Sequence, residues 1–245
     1  MNSNCEKKNE LRAACIVGSA LLLAVGLALL GIFIRNGIGS LSANARIVTV
    51  RGLSEREVMA NKVTWPIVSK HVGNDLASLY SDVESTNNAI VAFLRQNGIS
   101  EKEYSVNAPK VQDMQADSYG GQPAAYRYNV TSVVVVTSEQ VEKVNELMAK
   151  QSELMAKGIA IVAGDYSYQT LYEFTELNSI KPDMVADATK NARKAADKFA
   201  EDSQSKLGKI KSASQGQFSI EDRDQYTPYI KRVRVVSTIE YYLKD

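Results

Sequence analysis

Apolar and polar positions alternate along the chain after residue 45, first with a period of two and later with a period of three to four. In "RIVTVRG", Val48 and Val50 alternate with Ile47, Thr49 and Arg51, which predicts a half-buried strand that ends at Gly52. "KVTWPIVSKHV" predicts a second strand. Because Pro66 cannot donate a ladder hydrogen bond, we expect this strand to lie at a sheet edge or to carry a bulge.

A helical period follows. Its apolar members are Leu76, Leu79, Tyr80, Val83, Ile90, Phe93 and Leu94. Asn74 or Asp75 provides the N-terminal cap, and Gly98 lies just past the last turn, where helices commonly end. "EYSVNAPKVQ" is predicted to be the next strand. Residues 112–125, with Gly120 and Gly121, are predicted to form a long hairpin loop or an exposed flap.

The same order then recurs. "YRYNVTSVVVV" predicts a buried strand, and the following helix carries Val141, Val144, Leu147, Met148 and Leu154 before Gly158 ends it. "IAIVAGDYSYQTLYEF" is predicted to be extended, with Tyr166, Tyr168 and Tyr172 on one side. Strand, helix and strand therefore occur twice, in residues 62–112 and 126–174, which indicates an internal repeat.

A third and longest helix is predicted to begin near residues 179–182, with Pro182 in its first turn, and to end at Leu207–Gly208. It carries a stripe of small residues, namely Ala188, Ala192, Ala196 and Ala200. Strands around "KIKSASQGQF" and "RVRVVSTIEYYL" complete the chain. The predicted class is α+β, with two strand-helix-strand units, a long Ala-rich helix and C-terminal strands.

The opening of the chain has a different pattern. Residues 13–34 contain no charged side chain and would span about 33 Å as a helix, enough to cross a bilayer core of about 30 Å. Signal peptides have shorter apolar cores and a nearby cleavage site, so we expect a retained anchor, with cleavage after Ala45 as the alternative. Cys15 precedes the apolar core, which argues against lipid attachment.

Lys7, Lys8 and Arg12 precede this span, so the positive-inside rule favours a short internal tail and an external domain. The predicted organisation is a cytoplasmic tail (1–12), a transmembrane anchor (13–34), a linker (35–45) and an extracytoplasmic domain (46–245). The chain has 29 Lys and Arg against 28 Asp and Glu. Such a near-neutral balance gives no electrostatic basis for nucleic-acid binding.

Few residues offer catalytic chemistry. His71 is the only histidine, which excludes zinc sites that need two or three histidines from one chain. No nucleotide-binding or nucleophile-elbow motif occurs. Glu55 with Glu57, or Asp222 with Asp224, offers acid-base pairs, but alternating acids usually form solvated faces. We expect no catalytic, cofactor-binding or metal residues; a hydrolase that uses acidic residues alone remains the third hypothesis.

Tyrosines are frequent in the exported part, and those in loops are candidates for subunit contact: Tyr119, Tyr226 and Tyr229. Asn129-Val130-Thr131 matches a glycosylation acceptor, but it falls within a predicted strand, so we interpret it as coincidence.

Several segments together resemble the SIMPL-domain family (domain of unknown function 541), whose members include YggE-like periplasmic proteins. They are "IVTVRGLSEREVMANKVTW", "IVAFLRQNGISEKEYSVNAPKVQ", "AYRYNVTSVVVV" and "ADATKNARKAADKFAEDSQSKLGKIKSAS". The Ala-rich helix with Lys-Leu-Gly-Lys-Ile is the most specific, followed by Asn-Gly-Ile-Ser at 97–100. The resemblance covers residues 46–243. Where relatives have a Pro-Asp before the second strand, this chain has "SEREVMANKVTWP".

The resemblance implies an α+β domain, export, a large ring-like oligomer in some relatives, and a link to oxidative-stress tolerance without an established enzyme activity. We therefore expect a non-enzymatic, membrane-anchored protein of the bacterial inner membrane, with a periplasmic domain that self-assembles and supports the envelope under stress. The alternative is a binding module for a small ligand or cell-wall fragment, with residues 112–125 as lid and the Tyr-rich strands as wall.

Overall fold

The computed structural model describes residues 23–34, 46–116, 124–162 and 166–244. The strands are β1 Ile47–Met59, β2 Lys62–Gly73, β3 Tyr104–Val106, β4 Lys110–Asp113, β5 Tyr128–Ser138, β6 Leu171–Glu173, β7 Lys206–Gln215, β8 Ser219–Asp222 and β9 Ile230–Lys244. Residues 23–34 are helical and form the described part of α1. The other α-helices are α2 Leu76–Gln96, α3 Val141–Ala149, α4 Ser152–Ala156 and α5 Leu177–Asp202. The predicted α+β class is confirmed.

The first sheet contains β2 to β6, in the order β3-β5-β2-β6, with β4 also pairing with β5. All of these pairs are antiparallel, and the long β2–β5 ladder runs from Val63 opposite Ser138 to Gly73 opposite Tyr128. Two strand-helix-strand units form this sheet, one running from β2 to β4 and one from β5 to β6. Their strands are interleaved, as in a split β-α-β arrangement. This topology agrees with the predicted repeat of strand-helix-strand units.

Two strands of this sheet differ from the sequence prediction. β2 is internal, between β5 and β6, and not at an edge. Pro66 is tolerated there because β6 pairs only with residues 62–64, so the proline lies beyond the end of that ladder. The predicted strand "EYSVNAPKVQ" is broken into β3 and β4 around Pro109, and both pieces pair with β5.

The core of the first sheet is made of large aliphatic and aromatic side chains. Helices α2, α3 and α4 contribute Ile90, Phe93, Leu94, Val144, Leu147 and Leu154, which pack against Val63, Trp65, Ile67, Val134 and Val136 of the central strands. Most of these side chains are completely buried. Burying such side chains is the dominant stabilising term in folding.

Helix α2 has the predicted ends. The Asp75 carboxylate accepts hydrogen bonds from the backbone N–H groups of Ala77 and Ser78, at 3.3 and 3.2 Å. Gly98 has φ +78°, a conformation that side chains disfavour, and it turns the chain so that buried Ile99 donates to the carbonyl of Leu94 at 3.0 Å. The Asn-Gly-Ile-Ser segment is thus a helix stop.

The second helical segment is interrupted, whereas the sequence predicted a continuous helix. It divides into α3 and α4, separated by a turn at Lys150 and Gln151, although Leu154 is buried and Gly158 ends the segment as expected. Beyond it, the predicted extended run is wrong in part. Tyr166–Tyr168 form a turn of 3-10 helix, and within the described residues of that run the strand is Leu171–Glu173.

The second sheet has the order β1-β9-β7, with β8 also pairing with β9. Alternate residues of β9 are buried: Val233, Val235, Ser237, Ile239 and Tyr241. Met184 and Ala188 of α5 pack with Val233 and Val235 in a separate apolar cluster. The four predicted stripe alanines of α5 are all buried, at 0 to 3% exposure.

Gly52 does not end the first strand, contrary to the prediction, because β1 continues to Met59. A Cβ atom at Gly52 would lie 1.9 Å from the carbonyl oxygen of Ala188 and 2.4 Å from the backbone nitrogen of Ala192. The glycine is therefore required by the close approach of α5 to the strand.

Helix α5 also ends earlier than predicted, at Asp202, and Leu207–Gly208 belongs to β7. Gln204 adopts a positive φ of 53°, and Ser205 donates to the carbonyl of Ala200 at 2.8 Å. A polar residue in the left-handed region thus closes this helix in place of the expected glycine.

By backbone contacts the chain divides into two compact units. One comprises Met1–Val50, Lys194–Ala213 and Ile239–Asp245, and the other comprises Arg51–Arg193 and Ser214–Thr238. The second of these contains the whole first sheet.

Of the predicted transmembrane segment, residues 13–22 lie outside the described residues, as do the tail 1–12 and the linker 35–45. Residues 23–34 are helical, and their large apolar side chains are exposed, including Leu23 at 66% and Phe33 at 75%. Among the described residues, no helix has both the length and the apolar character needed to cross a membrane.

Candidate functional site

A cavity of about 520 Å³ opens beside β2, and we call it the tyrosine cleft. Trp65 and Pro66 of β2 and Met148 of α3 supply apolar lining, and Tyr166 and Tyr168 supply aromatic rings. Ligand pockets usually have volumes of about 300–1,000 Å³ and a mainly apolar lining. The volume of the cleft is therefore that of a small-molecule site, and its lining combines apolar, aromatic and amide side chains.

The local fold explains how this cleft forms. Because β6 pairs only with residues 62–64, the strand beyond Pro66 has room for another segment. Ile161 forms a bridge with Ser69, and Val162 donates to the carbonyl of Val68 at 2.8 Å. The turn Tyr166–Tyr168 follows and presents its rings beside the gap in the sheet.

Polar groups of the cleft come mainly from side-chain amides, those of Gln151, Gln169 and Gln225, together with the Thr170 hydroxyl. Thr170 makes only a weak contact, 3.8 Å to the sulfur of Met148. None of the described residues that line the cleft carries a charge. The described lining can therefore offer hydrogen bonds and aromatic surface, and it contains no carboxylate, histidine or cationic side chain.

A smaller cavity of about 350 Å³ contains Glu103, Lys62 and Ser138. Glu103 accepts hydrogen bonds from the Ser138 hydroxyl at 2.5 Å, the Ser100 backbone and hydroxyl at 2.9 and 2.7 Å, and the Gln140 amide at 3.2 Å. These bonds, with that of Ser138 the largest cause, lower the pKa of Glu103 to about 2. A carboxylate held this way is a structural link between segments.

The acidic pairs that the sequence offered for acid-base chemistry lie on the second sheet and the adjoining turn, beside basic side chains. Glu55 lies 3.4 Å from Arg232 and Glu57 lies 3.5 Å from Arg223, while Asp222 pairs with the largely buried Lys231. These carboxylates neutralise neighbouring cations.

Asp224 organises the turn after β8. It accepts hydrogen bonds from the Thr227 hydroxyl and from the backbone N–H groups of Tyr226 and Thr227, both at 2.8 Å. Together with Arg223, 3.1 Å away, they lower the pKa of Asp224 to about 2, and the bond from Thr227 is the largest cause. Asp224 therefore remains ionised as a turn cap.

His71 lies in β2 opposite Val130, and its buried Nε2 atom has no hydrogen-bond partner among the described residues. Asn129 is in β5 opposite Val72. The predicted glycosylation acceptor is therefore within a paired strand.

At its two described ends, the predicted loop 112–125 connects β4 and β5 as a hairpin. Met114 donates to the carbonyl of Arg127 at 2.7 Å, and Arg127 pairs with Asp113 at 3.0 Å. The hydrogen bond from Arg127 is the main reason that the pKa of Asp113 is lowered. Residues 117–123, and with them Tyr119, lie outside the described residues.

The two other loop tyrosines differ from each other. Tyr226 is 88% exposed. Tyr229 is partly buried and packs edge-on against Tyr172, with ring centroids 6.2 Å apart. Tyr229 is thus a packing residue, whereas Tyr226 remains available for contact.

Sequence reasoning named Tyr166 and Tyr168 but missed the glutamines of the tyrosine cleft. Gln151, Gln169 and Gln225 are far apart in sequence and belong to no motif, so only the fold brings them together. Among the described residues, no group of three or more His, Cys, Asp or Glu could hold a metal ion.

These elements define an α+β protein with one split β-α-β sheet and a second sheet covered by an Ala-rich helix. The family model of SIMPL, described as a protein of unknown function (DUF541), matches residues 48–237. The chain therefore belongs to the SIMPL family. A comparison with curated proteins gave no match.

Proposed function

We propose that this chain is a non-enzymatic, membrane-tethered domain on the periplasmic side of a bacterial inner membrane. Its copies assemble with one another and support the envelope under oxidative stress. The observation that carries the proposal is that β1 and β7 are the terminal strands of the second sheet among the strands that the structure describes.

Both edge strands are long. β1 has 13 residues and β7 has 10, and nearly every residue of β7 is exposed. Edge strands present N–H and C=O groups that can pair with another chain. Because the two edges differ, pairing β1 of one copy with β7 of the next would be heterologous, a contact that forms a ring when the rotation between copies closes and a filament when it does not. This supports self-assembly.

The proposed anchor rests on residues 13–34. That stretch is uncharged, and its described part presents exposed apolar side chains, such as Leu30 at 57% and Phe33 at 75%. Lys7, Lys8 and Arg12 favour an internal amino terminus. Confining copies to one membrane plane raises their effective concentration, so weak edge pairing becomes sufficient.

The absence of catalysis is supported by the roles of the acidic residues. Glu55 and Glu57 face arginines, and Asp224 and Glu103 hold turns and segments together. The stress role depends on the resemblance to periplasmic relatives. We expect a deletion strain to lose viability in peroxide and to recover it with the intact gene.

Assembly is tested by the mass of the full chain extracted intact from membranes. We expect a multiple of the chain mass, and Ile210→Glu, a charge placed on β7 at a 52% exposed position, should shift it towards one chain. Tyr80→Glu, at a 62% exposed position of α2, is the control and should leave the mass unchanged. A wild-type mass of one chain at micromolar concentration would contradict the proposal.

A second candidate function is an extracytoplasmic binding module for a small ligand or cell-wall fragment. The specific observation in its favour is the tyrosine cleft, with its volume of about 520 Å³. Thermal unfolding of the full chain with a panel of envelope metabolites tests this function, because a bound ligand raises the melting temperature. No shift with any compound would remove it.

A further inference from the structure

We propose that the tyrosine cleft binds a neutral saccharide, with sugar rings against Tyr166 and Tyr168 and sugar hydroxyls on the surrounding amides. This inference rests on the second candidate function, binding of a small ligand, and assigns its site and ligand class. It requires neither assembly nor the anchor.

The electrostatics of the cleft favour a ligand without net charge. Asp, Glu, Lys and Arg make up 23% of the chain, yet no charged residue is found among the described residues that line the cleft. Charged ligands are normally held by opposite charges or by arginine forks. A nucleotide, a phosphate or a carboxylate would find no counter-charge among the described lining residues.

Aromatic surface is the second argument. Tyr166 is 91% exposed, an unusual state for a large ring, and Tyr168 lines the same cavity two residues later. A tyrosine combines an apolar ring with a polar hydroxyl and suits a ligand that has both kinds of surface. Sugar rings have apolar C–H faces and hydroxyl edges, so they match both.

The third argument is the set of free hydrogen-bonding groups. The side chains of Gln151, Gln169 and Gln225 make no hydrogen bond to another described residue, and all three line the cleft. Each amide carries two donor hydrogens and an acceptor oxygen. Three amides can therefore serve several hydroxyl or acetamido groups at once.

The other cavities of similar size differ in charge. The cavity beside Glu103 also contains Lys62 and Glu139. Another, of about 530 Å³, is lined by Glu139, Glu142, Lys143 and Glu176 among others. Of these cavities, the tyrosine cleft is the one whose lining suits an uncharged, polyhydroxylated ligand.

The chain carries its own reporter of binding, because Trp65 is its single tryptophan and lines the cleft. We would titrate the full chain in lipid nanodiscs, which avoid sugar-headed detergents, with neutral tri-N-acetylchitotriose and follow tryptophan fluorescence. A saturating change at millimolar concentration or below is expected. A trigalacturonate of the same length, which is charged, should bind at least about tenfold more weakly.

Tyr166→Ala tests the site without threatening the fold, since the ring is almost fully exposed. The variant should lose about tenfold in affinity, as removal of an aromatic anchor does at other interfaces. Tyr226→Ala is the matched control. Tyr226 is also almost fully exposed, at 88%, and it adjoins Gln225 in sequence without lining the cleft. The affinity of this variant for the chitotriose should therefore stay within about twofold of wild type.

The outcomes distinguish saccharide binding at this cleft from the broader function of binding a small ligand. Equal affinity of Tyr166→Ala and wild type, or no fluorescence response to the chitotriose, overturns saccharide binding at this site. If another envelope compound still raises the melting temperature, the binding module survives and only its ligand class is wrong. If no compound does, both proposals fail.

Discussion

The two sheets of this protein hold their helices by different means. On the first sheet, α2 and α3 bring large side chains such as Phe93, Leu94 and Leu147 into a shared apolar core. On the second sheet, α5 brings small residues, and Gly52 of β1 lies directly beneath Ala188 and Ala192.

This difference predicts which substitutions destabilise each region. A core of large side chains loses stability mainly when atoms are removed, because a cavity remains. Where two backbones are in contact, the fold is destabilised mainly when atoms are added. Neither backbone can move aside without moving a whole helix or strand. Opposite kinds of substitution should therefore distinguish the two sheets.

The largest effect is expected from Phe93→Ala in the first sheet. Phe93 is 1% exposed, and truncating a buried phenylalanine to alanine costs about 3–5 kcal/mol in the free energy of unfolding. Urea unfolding followed by circular dichroism measures the loss. Phe199→Ala, at a 59% exposed position of α5, is the matched control and should change stability by about 0.5 kcal/mol or less.

A smaller loss is expected from Gly52→Ala in the second sheet, about 2–3 kcal/mol, because the added methyl group would overlap the backbone of α5. Gly73→Ala makes the same change where the nearest atom, 3.2 Å away, belongs to the flexible Leu79 side chain. Thermal unfolding of both variants compares them. Equal melting temperatures of the Gly52→Ala and Gly73→Ala variants would show that α5 does not approach β1 closely at Gly52.

The smallest effect is expected from Glu103→Gln, which weakens a polar link of the first sheet by about 1 kcal/mol at neutral pH. The pKa of Glu103 is depressed to about 2 from 4.5, so its carboxylate stabilises the fold fully above about pH 4.5 and loses that contribution as pH falls towards 2. The difference between wild type and variant should therefore shrink between pH 5 and 2.

Chemical unfolding at several pH values measures that difference. Glu153→Gln, an exposed position of α4, serves as the control and should track wild type throughout. A difference for Glu103→Gln that stayed constant down to pH 2 would show that the carboxylate contributes no charged hydrogen bonds.

The sequence predicted most of the elements, and the reasons are local. The Asp75 cap, the positive φ of Gly98 and the alternation along β9 follow from residues that are neighbours in the chain. Predictions failed where partners were distant. Pro66 suggested an edge strand, and the short β6 made an internal position acceptable. Gly52 suggested a strand end, and the approach of α5 explains it instead.

The candidate site shows the same limit. The sequence drew attention to Tyr166 and Tyr168 and predicted them on an extended segment, whereas they lie on a 3-10 turn. The glutamines of the cleft carry no signal of their own, since they derive from three separate segments.

The sequence alone thus determined the α+β class, the repeated strand-helix-strand order, the alanine stripe and membership of a family, because each depends on periodicity or on residues close in the chain. Only the tertiary structure decided the strand order, explained why Gly52 is a glycine and showed which residues line the tyrosine cleft. These depend on side chains and backbones that meet from distant parts of the chain, and a one-dimensional pattern does not specify which of them meet.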